Sequence, residues 1–114
     1  MYLSDIEIVK EINDLLVQNL QNESFGLKAI CQELGLSRTN LHRILKRNTH
    51  YSTSLYIRHI RIEQAKTFLI NSDRRISEIA YLVGFSSHQN FSKYFTAASG
   101  HSPSEFRKRM CLSV

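Results

Sequence analysis

The sequence has no tryptophan, a single proline (Pro103) and four glycines, and strand-like alternation of apolar and polar residues is nearly absent. So few breakers and so little alternation predict an all-α fold. No run approaches the ~18–20 apolar residues that cross a bilayer, and no basic-then-apolar leader opens the chain. No membrane association is therefore expected, and a reducing cytoplasm is the simplest location. The two cysteines, Cys31 and Cys111, are far apart and lack CxxC or CxxH spacing, which removes the basis for a disulfide framework or a structural zinc site. Cys31 falls inside an apolar pattern and reads as a small core residue. Five histidines (His42, His50, His59, His88, His101) are present, but no HExxH spacing, glycine-rich phosphate loop or carboxylate cluster accompanies them. An enzyme is not expected, nor is a catalytic residue, a metal or a cofactor.

What is present is basic charge, unevenly placed. The 114 residues hold fifteen Lys and Arg against ten Asp and Glu. Residues 1–36 carry two basic and six acidic side chains, residues 37–75 nine basic and two acidic, and residues 76–114 four basic and two acidic. Concentrated positive charge of this kind suits a polyanion, although a solvated basic face alone would look similar.

Residues Ser4 to Asn22 place Ile6, Val9, Ile12, Leu15, Leu16 and Leu20 at helical spacing, with Ser4 and Glu7 as a capping box. The acidic outer face of this helix would be repelled by phosphates, so the helix is assigned to packing. The most informative feature is an internal repeat. Residues 27–37 (LKAICQELGLS) align with 76–86 (ISEIAYLVGFS) at an offset of 49. After one inserted residue the offset is 50, pairing Leu41 with Phe91, Arg43 with Lys93, Leu45 with Phe95, Ser52 with Ser102 and Tyr56 with Phe106. Each copy reads as a short helix with a small residue (Ala29, Ala80), a glycine stop, then a serine-capped second helix, which is helix-turn-helix grammar. Ser37 and Ser86 are the expected caps. Leu41, Ile44 and Leu45 in one copy, and Phe91, Tyr94 and Phe95 in the other, form the expected inward faces.

Between the copies, Thr53 to Asn71 reads as one helix with Leu55, Tyr56, Ile60, Ala65, Phe68 and Leu69 available for packing. At ~1.5 Å per residue it spans roughly 28 Å, comparable with the ~34 Å turn of duplex DNA. Ser102-Pro103-Ser104-Glu105 predicts a short last helix, with a cap, a first-turn proline and a capping-box glutamate.

Three segments together resemble the DNA-binding domain of AraC/XylS-type transcription regulators. They are Arg61-Ile62…Ala65…Phe68-Leu69, Ile76-Ser77-Glu78-Ile79-Ala80…Gly84-Phe85-Ser86…Phe91-Ser92-Lys93-Tyr94-Phe95, and Gly100-His101-Ser102-Pro103-Ser104-Glu105-Phe106-Arg107. The resemblance runs from about Phe25 to Arg109. It implies a bacterial regulator domain of about seven helices: one domain over 1–114, with helix-turn-helix subdomains at 4–52 and 72–114 and a linker helix at 53–71. It further implies recognition helices at about 37–47 and 87–98 entering consecutive major-groove segments of an asymmetric site. Double-stranded promoter or operator DNA and RNA polymerase are the implied partners. Members usually also carry an effector-sensing, dimerising or phosphorelay region, and this chain includes none. A nonspecific architectural or protein-interaction module is the competing reading.

On the first recognition helix the face opposite Leu41 and Leu45 presents Thr39, His42 and Arg43, to which the resemblance assigns base reading. Arg43 can donate twice to guanine, His42 can donate or accept, and the Thr39 methyl can touch thymine. On the second, His88, Gln89, Asn90 and Lys93 match the reading positions. Gln89 could alternatively close a capping box from Ser86, and Lys93 could contact a phosphate. Arg38, Lys46, Arg47, Arg58, Arg61 and Ser102 are the phosphate-contact candidates, with free amides at helix starts assisting. Two positions depart from the family pattern. His50 stands where a glycine is frequent, so a strained or rearranged turn is expected there, and Thr96 stands where a lysine is common.

Overall fold

Helix-forming residues, punctuated by serines before and glycines after, give seven α-helices and no strand among the described residues, which are 4–111 of a computed structural model. The helices are α1 (Asp5–Gln18), α2 (Leu27–Leu34), α3 (Arg38–Thr49), α4 (Thr53–Asn71), α5 (Ile76–Leu82), α6 (His88–Ser99) and α7 (Pro103–Cys111). The all-α, seven-helix expectation is met. The 1–114 span assigned to the domain extends at both ends beyond the described residues. Contacts divide the chain into two units. The first comprises residues up to Leu20 together with Ser24–Ile60, and the second comprises Gln21–Glu23 together with residues from Arg61 onward.

In the first unit Ile12 and Leu16 of α1 meet Ile30 of α2, Leu41 and Leu45 of α3, Phe25, and Tyr56 of α4 in one buried cluster. In α1 and α3 the two members are four residues apart, so each of these helices lends one stripe, while α2 and α4 add Ile30 and Tyr56. The Ser4 hydroxyl accepts from Glu7 N–H at 3.2 Å and starts α1. The helix ends at Gln18 rather than running to Asn22, where Asn19 closes it by donating its side-chain amide to Leu15 O. Ile6, expected to pack, is 77% exposed. It lies in the first turn, ahead of the part of α1 that carries Ile12 and Leu16. The Tyr56 hydroxyl donates to Asn13 Oδ1, and burial pushes its pKa up.

The second unit builds its core from aromatic rings. Phe91 and Phe95 of α6 are fully buried. Phe95 meets Phe106 of α7 edge-on at 5.3 Å between centroids, and Phe91 meets Phe85 edge-on at 5.4 Å. Such pairs add about 0.5–1.5 kcal/mol each to their apolar burial. Tyr94 is half-buried beside Phe85. From α4 the residues Ala65 and Leu69 are fully buried, whereas Leu55, earlier on the same helix, turns to solvent. The Arg107 guanidinium donates to Leu69 O and Ser72 O, satisfying carbonyls at the end of α4.

The repeat is realised helix for helix, with one shift from expectation. Ser37 caps α3 by accepting from Asn40 N–H at 3.1 Å, but Ser87, not Ser86, caps α6 by accepting from Asn90 N–H at 3.2 Å. The inserted residue of the second copy is therefore Ser86, in the turn. Two adjacent serines carry the same capping chemistry, so composition did not separate them. In the last helix Ser102 accepts from Glu105 N–H, and the Glu105 carboxylate lies 3.6 Å from His101 Nδ1 instead of closing a reciprocal box.

The expected strain after α3 is visible in the backbone. His50 has φ 67°, the left-handed value that Gly100 adopts at φ 81° in the second copy. The turn is kept and the residue bears the cost, since a left-handed residue with a Cβ is disfavoured by roughly 1–2 kcal/mol. His50→Gly is therefore expected to stabilise the chain by about 1 kcal/mol and raise Tm by roughly 4 °C, read by thermal denaturation. An unchanged or lower Tm would mean that the imidazole makes a compensating contact.

Candidate nucleic-acid interface

Burial of Leu41, Ile44 and Leu45 fixes the rotation of α3, because a helix that hides one stripe must present the opposite one. Thr39, His42, Arg43, Lys46 and Arg47 are exposed and together line a shallow groove of about 460 Å³. The residues assigned to base reading on this helix are thus on one surface. Arg38, in the first turn, is exposed as well. Asn40 is also exposed.

In the second unit, burial of Phe91 and Phe95 orients α6 in the same way. His88, Gln89, Ser92, Lys93, Thr96 and Ala97 line a groove of about 720 Å³. With Ser87 as the cap, Asn90 occupies the capping-box position and Gln89 precedes it. The capping alternative for Gln89, which required Ser86, is removed. The Asn90 side chain is exposed but not among the groove residues. Lys93 Nζ lies 5.7 Å from the Tyr94 ring centroid, a distance for a weak cation–π contact. Ser92, Thr96 and Ala97 were not among the assigned readers. The signal for them was available, since they follow His88 and Gln89 at helical spacing of three to four.

The cationic candidates separate into different jobs. Arg61 is a correction. It is buried; its Nη1 donates to Val83 O at 2.8 Å and its Nη2 to Asn22 O at 3.1 Å, both within the second unit. Desolvation pushes its pKa down, and the nearby Glu23 opposes this. A buried guanidinium committed to two backbone carbonyls is turned away from any phosphate. The sequence signal is that Arg61 shares an i, i+4, i+8 stripe with Ala65 and Leu69, both fully buried. Arg47 stays exposed but donates through Nε to Asp5 Oδ2 at 2.9 Å, while Asn48 donates to the same oxygen at 3.0 Å. Asp5 is held below the ordinary carboxylate range, first by the Asn48 hydrogen bond and then by Arg47. Lys46 Nζ donates to His50 O at 3.1 Å, closing the end of α3. The Ser102 hydroxyl serves as the α7 cap, and Arg58 is half-buried on α4.

Among the described residues no three His, Cys, Asp or Glu side chains converge as a metal site, and no helix is long and apolar enough to cross a membrane. Two helix-turn-helix units in tandem, each exposing polar and basic side chains on its second helix, define the class: a double helix-turn-helix nucleic-acid-binding domain.

Comparison with known proteins narrows this. Residues 30–109 match the family described as "Helix-turn-helix domain". The chain is 25% identical to a transcriptional regulator of Chromobacterium violaceum described as AraC-type DNA-binding domain-containing. It superimposes on that structure with a TM-score of 0.86, covering 95% of this chain and 96% of that one. It is 34% identical over 103 residues to the HTH-type transcriptional activator RhaR of Yersinia pseudotuberculosis, covering 88% of this chain and 36% of RhaR. It is 35% identical over 105 residues to Histidine kinase P4 of Formosa agariphila, covering 92% of this chain and 8% of that protein. The chain belongs to the AraC-type helix-turn-helix family of DNA-binding transcription regulators. It spans about a third or less of these curated relatives' length.

Proposed function

We propose that the chain is the DNA-reading part of a bacterial transcription regulator and that α3 and α6 each enter a major-groove segment of one asymmetric duplex site. The observation that carries this reading is the pair of grooves on the outward faces of equivalent helices, lined by side chains of unlike chemistry. The α3 face offers Arg43, His42 and Thr39, a set suited to guanine and thymine edges. The α6 face offers Gln89 and His88 beside Lys93, with Asn90 next to them, a set whose amides match adenine N6 and N7. Because the two faces differ, one chain reads a site without two-fold symmetry. Arg38, Lys46 and Arg58 supply phosphate contacts, with Arg47 shared between Asp5 and the duplex. In the parent protein the regulatory input and the contact with RNA polymerase are proposed to involve regions or partners outside these grooves.

With Arg61 withdrawn, roughly four to five phosphates are neutralised, so the logarithm of affinity is expected to fall against the logarithm of salt with a slope of about −4. Titrations at several salt concentrations, with and without excess random duplex, test this. A salt-insensitive complex, or one abolished by random competitor at every ratio, would contradict specific reading and favour a nonspecific backbone-gripping or protein-interaction module.

A further inference from the structure

The acid that holds Arg47 comes from outside the internal repeat. That repeat begins at Leu27, so α1 has no counterpart in the second unit. Within α1, Asp5 lies seven residues before Ile12 and eleven before Leu16, which puts all three on one helical stripe. Ile12 and Leu16 are buried with Leu41 and Leu45 of α3. The packing that seats α1 on α3 therefore also delivers Asp5 to the last turn of α3. There one carboxylate oxygen, Oδ2, accepts from Arg47 Nε at 2.9 Å, from Arg47 Nη2, and from Asn48 Nδ2 at 3.0 Å. Asn48 is fixed in turn by donating to Ile44 O at 2.7 Å. Arg47 is nonetheless exposed and lines the α3 groove. One guanidinium thus stands between a carboxylate of its own chain and the surface assigned to the duplex. At the repeat offset of 50 the matching residue is Ala97, which lines the α6 groove and has no charge to be held.

We propose that Asp5 is a built-in competitor for Arg47, through which α1 sets how tightly the α3 face holds a duplex but not which sequence that face prefers. The inference rests on the DNA-reading proposal and adds a control to it. A carboxylate and a phosphodiester offer the same anionic oxygens to the guanidinium fork, and the Nε–Nη2 edge that Oδ2 occupies is closed to a phosphate. The pair is at the surface, where an ion pair is weak, so a duplex displaces Asp5 at a modest loss of affinity and is not shut out. Phosphate contacts carry no base information, so that loss is the same on every sequence. An influence that lifts the first turn of α1 away from α3 would release the guanidinium and strengthen binding, which makes α1 a lever on affinity that lies outside both reading helices.

Removing any acid near a polyanion strengthens binding somewhat, so the test needs a matched control. Glu7 supplies it, being an exposed acid in the same first turn of α1. Affinity for several duplexes of different sequence is measured against salt for the starting chain, Asp5→Asn, Glu7→Gln, Arg47→Ala and the double variant Asp5→Asn/Arg47→Ala. Asp5→Asn is expected to raise affinity about fivefold on every duplex and to steepen the log–log salt slope by about 0.9, the value of one more neutralised phosphate. Glu7→Gln is expected to change affinity less than about twofold, with the slope unmoved. With Arg47 already truncated, Asp5→Asn should do no more than Glu7→Gln does. The Arg47 Nε–H resonance of the isotope-labelled chain gives a readout without DNA: it should be protected from solvent exchange in the starting chain and lose that protection in Asp5→Asn. Equal gains from Asp5→Asn and Glu7→Gln, a gain that persists without Arg47, or a fall in affinity would overturn the proposal while leaving DNA reading intact. A starting chain that binds no duplex would overturn both.

Discussion

Arg61→Ala is expected to destabilise the protein by about 3 kcal/mol, lowering Tm by roughly 12 °C or more. The side chain is buried and its two nitrogens satisfy the carbonyls of Val83 and Asn22. Truncation strands the buried Val83 carbonyl, leaves Asn22 O to water and removes the packed stem, and an unsatisfied buried polar group costs about 1–3 kcal/mol. Arg61→Lys restores the charge but not the two-armed planar geometry, so it should recover less than half of the loss. Chemical denaturation measures the first effect. DNA titration of the folded fraction separates this structural role from the phosphate contact expected from the sequence. Affinity per folded molecule should be unchanged. A stable Arg61→Ala variant that binds DNA weakly across all sequences would reinstate the phosphate contact.

Arg43→Ala is expected to lower affinity for the cognate duplex by about 30-fold and to relax preference at one base position, leaving the others intact. Arg43 is exposed on the α3 groove, and among the described residues no ion pair or hydrogen bond engages its guanidinium. Its five donors are therefore uncommitted, unlike those of Arg47, which Asp5 holds, or Arg61, which the interior holds. Removing an exposed, unpaired arginine should change Tm by less than about 2 °C. Equal weakening on every sequence would place Arg43 on the backbone instead.

The fold was legible wherever a local signal was unambiguous. Thr53–Asn71 came through with both ends in place because apolar residues recur through it and a Ser-Thr start and an Asn-Ser-Asp stop bracket it. The inward residues of α3 and α6 were legible for the same reason. The misses have physical causes. Ser86 and Ser87 offer identical capping chemistry, and only the backbone path selects one. Ile6 and Leu55 are apolar residues at helical spacing that tertiary packing does not reach. Arg61 was counted as surface charge because arginine usually is, although its register with Ala65 and Leu69 placed it inside. Within the site, helix rotation could be read from the apolar stripe, so the exposed positions of α3 and α6 were visible. Engagement of Arg47 and Lys46 by Asp5 and His50 O depends on contacts across and beyond one helix and was not.

The most direct test of paired reading is selection of bound duplexes from a random pool, run in parallel with the starting chain, Arg43→Ala and Gln89→Ala. The expected result is one non-palindromic motif with two blocks of preference about one helical turn apart, with each variant erasing part of a different block and leaving the other. Enrichment of a single block, or loss of both blocks from either substitution, would contradict the account.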